Sequence, residues 1–100
     1  MANNITRAFV EKQLENLNRQ TGMPLTPYLH TEEGIVPGNG NYHLDGAYGA
    51  YAFVRMTLQP GGTGTSQVGN MGYVSLKVVS NYIRMFSEGY TAAKEFTFSA

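Results

Sequence analysis

The sequence predicts an α+β fold, a two-layer sandwich of order α-β-β-(β)-α in which a short antiparallel sheet carries two helices on one face. Three observations predict it. Two stretches, one early and one late, repeat apolar residues at helical spacing; a central stretch alternates with the period of two that marks a strand; and Gly- and Pro-rich segments separate them. With 100 residues, 42% hydrophobic and 14% charged, the chain suits one folded domain (residues 1–100) with one modest core.

The first helix rests on Ile5, Phe9, Val10, Leu14 and Leu17, an apolar stripe that leaves Arg7, Glu11, Lys12, Glu15, Asn18 and Arg19 on the opposite side. Asn4 or Thr6 can cap it, and Thr6 would set Ile5 against Val10 as a staple. Thr21-Gly22 followed by Pro24 ends it. Residues 22–41 hold three prolines and four glycines with two short apolar patches, Tyr28-Leu29 and Ile35-Val36, and read as an irregular loop. A connection of that length inside a small domain is usually functional or mobile.

Tyr42-His43-Leu44 reads as a short strand. Asp45-Gly46 is a type I′ turn signal, but a longer reversal over residues 45–49 leaves room for a full strand at 50–58 and is preferred. In that strand Ala50, Ala52, Val54, Met56 and Leu58 alternate with Tyr51, Phe53, Arg55 and Thr57. The even set is expected to face the helices and the odd set to face away. Gln59-Pro60-Gly61 closes the strand. Residues 60–74 read as a Gly-rich loop with a weak third strand near 66–68. Ser75 caps a second helix over 76–88, with Val74 and Val79 as its staple, a stripe of Leu76, Val79, Ile83, Phe86 and Tyr90, and Gly89 as its stop. In the tail, residues 91–100, Phe96 and Phe98 stand at strand spacing, which suggests docking on a sheet edge or a neighbouring chain.

Seven basic and seven acidic residues cancel, so the global field of a duplex-DNA binder is absent. Residues 46–87 nevertheless carry Arg55, Lys77 and Arg84 and no acid. Without cysteine there are no disulfides and no thiolate metal sites. The start of the chain lacks the features of a signal peptide and no apolar run approaches the ~20 residues of a membrane span, so a soluble cytoplasmic protein is expected.

Tyr42-His43-Leu44-Asp45-Gly46-Ala47-Tyr48-Gly49, Val54-Arg55, Gly61-Gly62 and the run from Asn81 to Gly89 resemble small uncharacterised proteins encoded by tailed bacteriophages, over roughly half the chain. The resemblance implies a viral accessory gene acting in the host cytoplasm, and it brings no functional residues. The element order is also similar to the double-stranded RNA-binding domain. That domain opens its last helix with a basic cluster, where Ser75-Leu76-Lys77-Val78 offers one lysine.

Among candidate sites the outward sheet face comes first. Tyr42, Tyr51, Phe53 and Arg55 would form an aromatic and cationic surface, suited to a protein hot spot or to stacking single-stranded nucleic acid. His43 and Asp45 share a strand face, as an acid–base pair would. His30-Thr31-Glu32-Glu33 offers metal-ligand chemistry, but neighbours in sequence seldom converge on one ion. Residues 61–66 lack the spacing and the lysine of a phosphate loop. No cofactor and no catalysis are expected. The leading expectation is a non-enzymatic binding or assembly protein that forms a homo-oligomer through its sheet face or tail; the alternative is a single-stranded nucleic-acid-binding accessory protein.

Overall fold

The computed structural model describes residues 5–59, 62–69 and 71–99, with side chains for all of these save 58, 59 and 96–99. The elements run α1 (Arg7–Thr21), β1 (Tyr28–Thr31), β2 (Gly34–Pro37), β3 (Tyr42–Ala47), β4 (Ala50–Gln59), β5 (Gly62–Gln67) and α2 (Leu76–Ser99). β3, β4 and β5 form an antiparallel sheet with β4 central, and β1 and β2 form a separate hairpin. The α+β architecture with both helices on one sheet face is as expected: α1 lies over β3 and α2 over β4.

α1 starts where Thr6 accepts a hydrogen bond from the Phe9 amide at 3.1 Å, and it stops at Gly22, whose amide returns to the last turn. Phe9, expected in the stripe, is half exposed, whereas Val10, Leu14 and Leu17 are buried. Asn18, expected among the solvated residues, is 1% exposed. α1 and α2 run parallel, locked by two reciprocal clamps one heptad apart. Ser80 Oγ donates to Gln13 Oε1 at 2.8 Å while Gln13 Nε2 donates to the Ser80 carbonyl at 3.3 Å. Gln20 and Ser87 repeat the same pair of bonds.

The sidedness of β4 is the reverse of the expectation. Register places Leu44 opposite Phe53, Tyr42 opposite Arg55 and Gly46 opposite Tyr51. Phe53 and Tyr42 belong to the buried cluster with Val10, Leu14, Leu17, Val79 and Ile83, so the odd positions point under the helices. The even residues Ala52, Val54 and Met56 are buried too, at 0–3% exposure. Alternation in polarity cannot orient a strand both of whose faces are covered; side-chain bulk can. The large Tyr51 and Phe53 fill the gap between sheet and helices, and the small Ala52 leaves room on the far side. Where β5 ends, Val74 continues along the same edge of β4 by bridging to Tyr51, and on the far side the neighbouring Tyr73 hydroxyl reaches across to Asp45 on β3.

Four further boundaries differ from expectation. The loop at 22–41 contains the β1–β2 hairpin, closed by a two-residue turn in which Thr31 Oγ1 accepts from the Glu33 amide and donates to the Gly34 carbonyl. β3 continues through Asp45-Gly46, and the reversal is Tyr48-Gly49, both at positive φ (54° and 76°), as a type I′ turn requires. The Gly-rich stretch at 60–74 forms β5, because every residue from Gly62 to Gln67 pairs with a strong β4 template. Finally, α2 passes through Gly89 and runs to Ser99, so the tail is helical and the strand reading of Phe96 and Phe98 falls; their side chains lie outside the described residues. A mid-helix glycine costs only ~1 kcal/mol against alanine, and Ala92, Ala93, Lys94 and Glu95 are all good helix formers.

Gly69 adopts φ +78° directly against the ring of Tyr82, where a Cβ would overlap the hydroxyl and Cζ. Tyr82 cannot retreat freely, because its ring packs edge-on to Phe53 at 6.0 Å. Gly69→Ala is therefore expected to cost roughly 2–3 kcal/mol, combining left-handed backbone strain with overpacking. Urea denaturation measures it, and a cost under ~0.5 kcal/mol would show that this loop is free to move off the helix.

Candidate protein-docking surface

The residues expected to form a binding face are largely enclosed. Phe53 is 1% and Tyr42 6% exposed. The Phe53 ring meets Tyr42 at 5.7 Å, Phe86 at 5.6 Å and Tyr82 at 6.0 Å, forming an aromatic cluster between sheet and helices. Tyr51 is half buried under Arg7 of α1, whose guanidinium lies 5.9 Å from its ring. Arg55 alone is exposed, with its guanidinium 5.4 Å from the Tyr42 ring. No base can slide between these rings, so the stacking platform expected for single-stranded nucleic acid does not exist as a surface.

His43 and Asp45 do share the opposite sheet face but are not hydrogen-bonded to each other. Asp45 accepts from the Tyr73 hydroxyl, and that bond raises the Tyr73 pKa. His43 Nδ1 lies 3.1 Å from the Asn41 side-chain oxygen, and burial pushes the His43 pKa down despite the charge of Asp45. His30, Glu32 and Glu33 are strung along β1 and its turn, and among the described residues no three acidic or imidazole groups gather as a metal site would require. Residues 62–66 of the supposed phosphate loop are spent in β5. Ser75 does cap α2, accepting from the Val78 amide at 3.3 Å.

What stands open is a surface that polarity patterns did not single out. The β1–β2 hairpin projects as an arm, its two strands packing on each other and on no other element to more than a marginal extent. Tyr28 is 55%, Leu29 37% and Ile35 65% exposed. Register puts Tyr28, His30, Ile35 and Pro37 on one face and Leu29, Thr31 and Val36 on the other, so both faces carry apolar side chains. The base is fixed by the Gly38 amide on the Pro27 carbonyl at 2.7 Å and by Asn41 Nδ2 on the Pro24 carbonyl at 2.8 Å. The radius of gyration, 14.8 Å, exceeds the ~13 Å of a compact chain of this length, in keeping with such a projection. The sequence signal was present but faint: two apolar pairs, Tyr28-Leu29 and Ile35-Val36, flanking Thr31-Glu32-Glu33-Gly34, obscured by Pro24, Pro27 and Pro37.

Beside the arm lies a groove of about 450 Å³ between α1 and the edge strand β3. Leu14, Leu25, Pro27, Tyr42 and Leu44 line it, with Glu11 and Glu15 also at its wall. Those acids are matched within α1, Glu11 by Arg7 at 3.1 Å and Glu15 by Arg19 at 2.8 Å and Lys12 at 3.4 Å. The Arg19 bond, then Lys12, holds the Glu15 carboxyl below its usual pKa. The groove therefore offers apolar contact rather than unmatched charge. Its back wall is an edge strand sealed at one point: the Tyr42 amide donates to Asn18 Oδ1 at 2.8 Å and Asn18 Nδ2 donates to the Tyr42 carbonyl at 3.0 Å. Antiparallel alternation then turns the main-chain groups of Leu44 outward as well, beyond the reach of Asn18.

No helix among the described residues is long and apolar enough to cross a membrane. Comparison with protein-family models, with curated proteins and with solved structures finds no match to this chain.

Proposed function

We propose that the protein is a small non-enzymatic assembly module that binds protein surfaces, its own copies first, through the β1–β2 arm. One observation carries this reading: a hairpin with Tyr28, Leu29 and Ile35 exposed stands clear of the body. A two-stranded hairpin is marginal alone in water, and one that spreads apolar side chains over both faces becomes stable and soluble only when covered. The assignment of Asp45 to Tyr73 and of His43 to Asn41 supports a non-catalytic reading, since neither group is poised beside the other for proton transfer. A phage-encoded accessory protein of the host cytoplasm, as the resemblance over residues 42–89 implies, would use such an arm to join copies or to join a larger assembly.

Light scattering after size exclusion tests it. The wild-type chain is expected to run above its 11.0 kDa monomer mass at tens of micromolar. Ile35→Asp is expected to weaken association about tenfold or more, with unchanged circular dichroism and, in dilute solution where both chains are monomeric, an unchanged thermal midpoint, because Ile35 touches nothing in the core. A wild-type chain that stays monomeric to ~1 mM overturns self-association.

A further inference from the structure

Resting on that reading of the arm, we propose that the groove between α1 and β3 is filled by the arm of a second copy, and that two chains exchange arms reciprocally about a two-fold axis. The occupant is a second copy because groove and arm are continuous. Leu25, Thr26 and Pro27 line the groove and lead without interruption into β1. A two-fold axis set beside that rim would bring each arm to the mate's groove, so each can cross into the other. Its own groove is closed to it. The bonds from Gly38 to Pro27 and from Asn41 to Pro24 fix the base, and the shaft packs on α1 and β3 of the same chain to no more than a marginal extent.

Main-chain chemistry points the same way. The Gly38 to Pro27 bond makes Tyr28 and His30 the outward-facing positions of β1 and Ile35 and Pro37 those of β2. Pro37 has no amide to offer. Thr26 Oγ1 already donates to the Tyr28 carbonyl at 2.7 Å, which leaves the Tyr28 amide and both groups of His30. β1 is thus the edge able to add a strand, and on the body the corresponding free position is Leu44, next to the Asn18 seal.

The area suffices. Taking ordinary side-chain areas, the exposed parts of Tyr28 and Ile35, which share one face, amount to roughly 240 Å² per arm. Matched by an equal area of groove and doubled by symmetry, the contact reaches roughly 1,000 Å², the threshold of a specific interface.

The chain has no cysteine, so single thiols report the pairing directly. Ile35→Cys marks the arm and Leu25→Cys the groove, at exposed positions whose replacement spares the core. The two variants are prepared separately, mixed, treated with a short bismaleimide, and examined by mass spectrometry, with light scattering on the wild type in parallel. The expected result is a wild-type dimer and a mixture that yields the arm-to-groove heterodimer at several times the level of either homodimer. Arm-to-arm linkage predominating, or a wild-type oligomer with no arm-to-groove product, overturns the exchange and leaves self-association standing. A wild-type monomer overturns both.

Discussion

Phe53→Ala is expected to cost about 3–5 kcal/mol and to lower the thermal midpoint by roughly 12 °C or more. The ring is 1% exposed and meets three aromatic rings from two other elements: Tyr42 on β3, and Tyr82 and Phe86 on α2, all within 6.0 Å between centroids. Truncation removes the buried hydrocarbon and also leaves a void that the surrounding elements cannot fully close. Half the stability of a small domain is at stake, since such domains hold about 5–15 kcal/mol in total. The result also separates two views of this side chain. A ligand-stacking phenylalanine would be lost with little harm to the fold, whereas an enclosed one takes the fold with it. Urea denaturation decides, and a loss under ~1 kcal/mol would mean that the helices do not lie over odd-numbered β4 residues.

Asn18→Leu is the second large effect, expected at about 2–5 kcal/mol although the side chains are nearly the same size. The amide of Asn18 imitates a neighbouring strand, giving and receiving one hydrogen bond at Tyr42. Leucine keeps the volume and abandons both main-chain groups at a site 1% exposed. Asn18→Asp is the informative companion. Its carboxylate can still accept from the Tyr42 amide but opposes the Tyr42 carbonyl, so burial there raises its folded pKa above the unfolded ~3.9. Protonation restores the missing donor. The defect of Asn18→Asp relative to wild type should therefore be smallest below about pH 4 and grow as pH rises through the folded pKa. A pH-independent defect would show that Asn18 acts only by filling space.

Two of the helical stripes and the α+β class were legible from periodicity, because α1 and α2 each bury one face against one sheet. The direction of β4 was not. Its Ala52, Val54 and Met56 positions are as apolar as a core face should be, and they are buried, but on the side of the sheet away from the helices. Nor could sequence place Asn18. A polar residue two positions from Asn16 and next to Arg19 reads as solvated until a strand edge that needs an amide arrives beside it. Gly89 misled for a related reason: glycine after a stripe is a stop signal only where the next residues cannot continue the helix, and here they can. The arm was missed because strands of four residues with Pro37 at one end fall below what alternation can register. The candidate site inherited these errors together, moving from a sheet face that the fold encloses to a hairpin that it leaves outside.

The bond from Gly38 to Pro27 has an evolutionary corollary. It pinches the chain shut at the foot of the hairpin, so the ten residues between behave as a detachable branch whose length and chemistry are decoupled from whether the trunk folds. Lengthening that branch by pairs of residues would extend its reach while leaving the clamps of Gln13 and Gln20 undisturbed, and new specificities could be tried at the tip without gambling the scaffold.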